Sequence, residues 1–185
     1  MEILSTDKEQ QILKQFRRDY NSAMDLLYAT FAGHLTAICA RYIADDDAMK
    51  DVLQESLIKI FTQINSFEYR GKGSLKAWMS RITVNECLQS LRRNKKSTVI
   101  TDMQLPDISD EEPDTEGLTA EEIEELIRRL PEGYRTVFNL YVIDGKSHKE
   151  IAQMLGIKPD TSASQLHRAK NILAKKITQL KQSKI

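Results

Sequence analysis

Within residues 66–93, SFEYRGKGSLKAWMSRITVNECLQSLRR, the cations Arg70, Lys72, Lys76, Arg81, Arg92 and Arg93 surround the rings of Phe67, Tyr69 and Trp78. Phosphates require cations and unstacked bases require flat apolar platforms, so this interleaving suits a single nucleic-acid strand. A plainer use of the same rings stays open, because an isolated Trp on a helix usually packs inward. Residues 147–173, SHKEIAQMLGIKPDTSASQLHRAKNIL, carry a second set of competent side chains in helix-turn-helix order. Ser147 and Glu150 fit a capping box, Gly156 a left-handed C-cap, and Pro159 the first residue of the next helix. Ile151, Ala152, Leu155, Ile157 and Leu166 supply the apolar contacts between two short helices, with small Ala152 where they approach. The second helix would enter a major groove with Thr161, Ser164, Gln165 and Arg168 toward base edges or phosphates, and Lys170 and Lys175 near the backbone. A helical hairpin that binds protein would share this grammar; the local excess of cations argues for DNA.

Periodic apolar spacing supplies the elements that position these groups. Ala23, Leu26, Leu27, Phe31, Leu35 and Ile38 predict an amphipathic helix over 21–41. Asp45, Asp46 and Asp47 offer a cap for a second helix, with Met49, Leu53, Leu57, Ile60, Phe61 and Ile64 as its apolar stripe. Asp51, Gln54, Glu55 and Lys59 fall off that stripe and present a polar face to a partner. Gly71 and Gly73 force a loop, after which a third helix starts with Ser74 as N-cap and runs through Trp78, Ile82 and Leu88 to about 93. Thr119 and Glu122 make another capping box, opening a helix whose face is Ile123, Leu126, Ile127 and Leu130 and which Pro131 stops. A further helix over 133–142 ends at the Asp144-Gly145 turn. With 7 Gly and 4 Pro in 185 residues, the expected fold class is all-α.

The formal net charge of zero conceals four blocks: −4 over 1–68, +7 over 69–96, −11 over 97–127 and +8 over 128–185. Two basic blocks about an acidic spacer suggest two surfaces for polyanion and a spacer that competes for them. Segment 97–118 lacks hydrophobic periodicity and holds two of the four prolines, so it is the expected linker between domains 1–96 and 119–185. No uninterrupted apolar run approaches a bilayer span and no targeting segment is evident, so the expectation is a cytoplasmic chain without membrane insertion. Cys39 and Cys87 lack metal-ligand spacing and are expected as small buried hydrophobes. His34, His148 and His167 are scattered, no glycine-rich phosphate loop occurs, and neither an enzyme nor a metal or cofactor is expected.

These segments resemble the extracytoplasmic-function group of the sigma-70 family of bacterial RNA polymerase initiation factors, over about residues 16–177. DAMKDVLQESLIKIF is similar to region 2.2, FEYRGKGSLKAWMSRITVNECLQSLRR to regions 2.3 and 2.4, and LPEGYRTVFNLYVIDGKSHKEIAQMLGIKPDTSASQLHRAKNIL to region 4. The resemblance implies that Asp51, Gln54 and Glu55 dock the β′ clamp helices of core RNA polymerase, with the β subunit a further contact. It implies that Tyr69, Arg70, Lys72, Ser74, Lys76, Trp78, Arg81 and Asn85 capture the melted minus-10 strand of promoter DNA. Ser147, Lys149, Thr161, Ser164, Gln165, Arg168 and Lys170 fall to the minus-35 reader, and the linker to a segment threaded toward the active-site channel. A cognate anti-sigma factor is a further implied partner. The chain departs from the family where DTSASQL loses two cations and places Ser162 at an apolar position, and where Leu75 replaces a common Phe. A helix-turn-helix regulator that does not replace the polymerase sigma subunit is the rival reading; it would share the second domain without needing the aromatic-basic loop.

Overall fold

The computed structural model describes residues 7–94 and 115–184, and residues 97–114 of the acidic segment lie outside them. Every regular element among the described residues is helical, and the chain divides into two compact units between Leu91 and Arg92.

The N-terminal unit contains α1 (Lys8–Phe16), α2 (Tyr20–Tyr42), α3 (Asp46–Gln63), a 3-10 turn (Ile64–Ser66) and α4 (Ser74–Asn94). Its first three helices start at aspartates. Asp7 accepts from the Glu9 N–H, Asp19 from those of Asn21 and Ser22, and Asp45 from that of Ala48. Each carboxylate satisfies N–H groups that the helix cannot bond and places negative charge at the positive end of its dipole. On α2, Ala23, Leu27, Phe31, Leu35, Ile38, Cys39 and Tyr42 are buried. Leu26, expected on that stripe, is 42% exposed. It precedes fully buried Leu27, and one residue is about 100° around a helix.

By length and composition α2 is long and apolar enough to cross a membrane, although it holds no uninterrupted apolar run. Asp25, Thr30, His34 and Thr36 interrupt the run in sequence, yet the surrounding Ala, Leu and Phe outweigh them on average. Its core face packs on α1 and α3.

The stripe on α3 is also rotated from expectation. Val52, Ser56 and Ile60 are its buried residues, and Met49, Leu53, Leu57 and Phe61 flank them half-buried. Ser56 can occupy the centre because its hydroxyl donates to the Val52 carbonyl at 2.7 Å, so no polar group is left unsatisfied. Between α2 and α4, His34 Nε2 meets Ser80 Oγ at 2.9 Å, and burial lowers the histidine pKa. Cys39 and Cys87 are buried free thiols, as expected, and also hydrogen-bonded to each other. That bond, reinforced by burial, pushes the Cys87 pKa up.

The C-terminal unit contains α5 (Ala120–Arg128), α6 (Glu132–Phe138), a π-helical turn (Asn139–Ile143), α7 (His148–Leu155) and α8 (Pro159–Ser183). Both capping boxes form, Thr119 with Glu122 and Ser147 with Glu150. Gly156 has φ 67° and ψ 36°, the left-handed conformation that lets the chain reverse between α7 and α8 without a Cβ clash. Helix α8 spans 25 residues, so the second helix of the pair is not short as expected. Its extension carries Ala169, Leu173 and Ile177 against Leu126 of α5, Leu130 just after it and Tyr134 of α6. Buried apolar surface contributes roughly 25 cal/mol per Å², so this cluster is what keeps α8 continuous. Buried Arg135 donates to the Arg128 and Leu130 carbonyls at 2.8 and 3.3 Å, covering the exit of α5.

Ser147→Ala is expected to destabilise the C-terminal unit by about 1 kcal/mol in thermal denaturation followed by circular dichroism. Hydrogen bonds from the Ser147 backbone and hydroxyl lower the Glu150 pKa below its usual 4.5. The carboxylate therefore contributes its full stability above pH 4.5 and loses it as pH falls through the lowered value. Titrating the unfolding temperature of wild type and Glu150→Gln from pH 7 to about 3 should bring the two curves together at the acid end.

Candidate nucleic-acid interface

Three surfaces collect the residues that the sequence singles out. The first lies on α4 and the loop before it. Ser74, Trp78, Arg81 and Asn85 follow i, i+4, i+7, i+11 spacing, which puts all four on one helix face. Trp78 lies 5.1 Å from Phe67, centroid to centroid, with the rings tilted by 44°. Both are half-buried, so each ring packs on the other while keeping part of its surface accessible. With Ser66, Glu68, Arg70, Ser74, Ala77 and Arg81 they line an open cavity of about 600 Å³. Arg70 and Arg81 of that lining are exposed, and so are Lys72, Lys76 and Asn85 on the same loop and helix.

The start of α4 differs from expectation. Ser74 is the first helical residue rather than the cap, and its hydroxyl accepts from the Arg70 N–H at 3.2 Å. The N–H groups at the beginning of the helix go instead to the carboxylate of Glu9 on α1. It accepts from Gly73 at 2.9 Å, Leu75 at 3.2 Å and Lys76 at 3.1 Å. A carboxylate outcompetes a hydroxyl here because it accepts several N–H groups at once and carries charge. Glu9 is only 6% exposed, and no local pattern in a short N-terminal helix marks it as a cap for residues more than sixty positions away. The Tyr69 hydroxyl donates to Asp7, the residue that also caps α1, and this bond raises the tyrosine pKa. Leu75 is fully buried, so its side chain belongs to the core rather than to the exposed rim of the cavity.

The second surface is the outward face of α3. Asp51 and Gln54 are exposed and Glu55 is half-buried, and the three share the face predicted for them. Ile58 joins them at i+7 from Asp51 and is 55% exposed, an apolar residue at the end of an otherwise polar face. Lys59 does not belong with them. Its ammonium donates to Glu86 of α4 at 2.6 Å, and Glu86 is buried. A buried carboxylate needs a counter-charge, so Lys59 is committed to α4 instead of presenting a face to a partner.

The third surface is the helix pair α7 and α8. Ser147 is spent on the α7 cap, with Lys149 exposed beside it. Thr161 and Ser164 are exposed and Gln165 is half-buried along one side of α8. Arg168 shares that side, but its guanidinium lies 3.5 Å from the Tyr134 hydroxyl, turned back toward α6 rather than outward. Lys170 is exposed and sits nine residues from Thr161, about 180° around the helix, so it is not on the same side. Ser162, at the family's apolar position, is buried with its hydroxyl 2.9 Å from His148 Nδ1. The missing apolar contact between the two helices is thus replaced by a hydrogen bond. Tyr141 stacks on the other side of that histidine at 4.6 Å.

Comparison with known proteins sets the family of the chain. The family model described as Sigma-70 region 2 matches residues 27–97, and that described as Sigma-70, region 4 matches residues 120–173, together covering most of the chain. The chain belongs to the sigma-70 family. Full-length relatives set its group. It is 25% identical over 191 residues to the RNA polymerase sigma-H factor of Pseudomonas aeruginosa, covering 96% of this chain and 98% of that one. It is 26% identical over 185 residues to the ECF RNA polymerase sigma-E factor of Haemophilus influenzae, covering 93% and 96%. Within the family it is a sigma factor of the extracytoplasmic-function group. Among solved structures, the sigma factor RpoE in complex with the anti-sigma factor NepR from Bartonella quintana aligns at 22% identity. Its TM-score is 0.49, over 82% of this chain and 94% of that one.

Lys59→Ala should leave Glu86 buried without its cation and lower unfolding stability by about 1–3 kcal/mol, read by chemical denaturation. Asp51→Ala and Gln54→Ala, on the exposed face, should each stay within about 0.5 kcal/mol of wild type in the same measurement.

Proposed function

We propose that this sigma factor engages core RNA polymerase through α3, captures the melted minus-10 strand on residues 69–85 and reads the minus-35 element with α7 and α8. Asp51, Gln54 and Glu55 would meet the β′ clamp helices, with Ile58 supplying apolar area at one end of the contact. Truncating a hydrogen-bonded charged contact of this kind costs about 2–5 kcal/mol of binding. The observation that carries the reading is the shared face of Ser74, Trp78, Arg81 and Asn85 over a cavity rimmed by cations. Phosphates would be held by Arg70, Lys72 and Lys76, while a base taken out of the stack would enter beside Trp78 and Phe67. Tyr69 would act by shaping the loop, since its hydroxyl is already bonded to Asp7.

In the minus-35 duplex, Thr161, Ser164 and Gln165 would face the major groove. Gln165 suits a bidentate contact to adenine N6 and N7. Lys149 and Lys170 would neutralise phosphates on either side. Arg168 would have to leave Tyr134 to reach DNA. The domains of this reading are 1–96 and 119–185, with 97–118 as an acidic linker that competes with DNA for the basic surfaces. Residues 97–114 of that linker lie outside the described residues, so its support is charge alone. A cognate anti-sigma factor covering the same surfaces would be the regulator, and the place of action would be the cytoplasm.

The test is run-off transcription with core RNA polymerase and mapping of transcript starts. Initiation at a defined set of starts that depends on this chain supports the proposal. Sequence-specific binding to duplex DNA without any initiation would overturn it in favour of a helix-turn-helix regulator. On the promoter so defined, Gln165→Ala should cost about 1–3 kcal/mol and flatten discrimination at one minus-35 base. Lys170→Ala should instead weaken all sequences alike and reduce the salt slope by about one.

A further inference from the structure

Helix α1 lies before the region matched by the family model, which begins at residue 27, yet it makes two separate attachments to the minus-10 surface. Glu9 takes the N–H groups of Gly73, Leu75 and Lys76, and Asp7 takes the Tyr69 hydroxyl. These attachments bracket the loop. Tyr69 stands at its entry and Gly73 at its exit, while between them the Arg70 N–H is held by the Ser74 hydroxyl. Gly71 and Gly73 have φ of 118° and 89°, a region that only glycine adopts at low cost, so the loop's own backbone does little to restrict it. What restricts it is α1. The helix is anchored in turn by Ile12, which is 1% exposed, and by its packing on α2.

We infer that Glu9 and Asp7 are positioning residues for minus-10 recognition: they hold the loop and the first turn of α4 so that the cavity beside Trp78 exists before DNA arrives. Residues 70 and 74 line that cavity, the first between the two attachments and the second within the segment 73–76 that Glu9 holds. A loop fixed in advance loses no ordering entropy when a base enters, and it accepts only a base that fits the fixed shape. Glu9 touches no nucleotide in this scheme. It acts by satisfying the start of α4, and removing it would let the loop adapt to several bases at similar cost. The inference rests on the assignment of this cavity to the minus-10 strand.

The experiment uses the full chain reconstituted with core RNA polymerase, on a promoter found by start mapping with that holoenzyme. Rates of open-complex formation are measured on a panel carrying every single-base change in the minus-10 element, for wild type, Glu9→Gln, Tyr69→Phe and Arg81→Ala. Core affinity and helical circular dichroism are measured alongside. Glu9→Gln is expected to reduce the preference for the best base at one minus-10 position at least about fivefold. Preference across the minus-35 element should stay as in wild type, which general destabilisation of the chain would not produce. Tyr69→Phe keeps the ring and loses only the bond to Asp7, so it should give a smaller loss at the same position and serves if Glu9→Gln does not fold. Base preference held within twofold by Glu9→Gln, or by Tyr69→Phe where that variant stands in, would overturn the inference if Arg81→Ala flattens it. If Arg81→Ala also leaves the preference intact, the minus-10 assignment itself is wrong and the inference falls with it.

Discussion

A helix begins with N–H groups that its own hydrogen-bond ladder cannot reach, and the functional surfaces of this protein depend on how those groups are satisfied. Asp7, Asp19 and Asp45 serve α1, α2 and α3 from the adjacent residue, and Thr119 and Ser147 serve α5 and α7 through capping boxes. Helix α4 is served from elsewhere in the fold, by Glu9. A local cap fixes only where a helix begins. A distant cap also fixes where that beginning sits relative to another element, so the same three hydrogen bonds define a helix end and the position of the loop that feeds it. The surface proposed for the minus-10 strand is built on a helix start with that double role.

The surface proposed for the minus-35 element is positioned by a different device. The turn at Gly156 reverses the chain, and the bond between Ser162 and His148 ties α7 to α8 where the family has an apolar contact. A buried polar pair is directional and leaves both groups satisfied in one arrangement of the helices, whereas an apolar contact tolerates sliding. Stacking of Tyr141 on His148 extends the same fixation toward the π-helical turn. The long α8, held by Leu173 and Ile177 against α5, then carries its exposed N-terminal part as a rigid rod.

Most of the helices were legible because periodic apolar residues, capping boxes and turn glycines agree along the chain. Thr119 with Glu122, Ser147 with Glu150, and Gly156 are local signals, and each stands where the pattern put it. Some of the misplaced readings are those where a residue's partner is remote in sequence. Lys59 reads as part of an open polar face until buried Glu86 is placed opposite it, 27 positions later. Ser74 reads as a cap because Glu9 is out of view. Ser56 looks too polar for a helix core until its bond to the Val52 carbonyl is counted. Ile58 was passed over because a search for apolar stripes discards an apolar residue that falls off the stripe, which is where a docking surface would use one.

Amide hydrogen exchange of the intact chain, resolved by residue with NMR, tests most directly whether Glu9 holds the start of α4. First-turn amides that point into solvent exchange near the rates of an unstructured chain, whereas amides bonded to a buried acceptor exchange only when that part of the fold opens. The amides of Gly73, Leu75 and Lys76 should therefore be protected together, with opening free energies close to those of residues in the middle of α4. Exchange of all three at unstructured rates, while the interior of α4 remains protected, would show that the carboxylate does not hold the helix start and would remove the basis for a preformed minus-10 cavity.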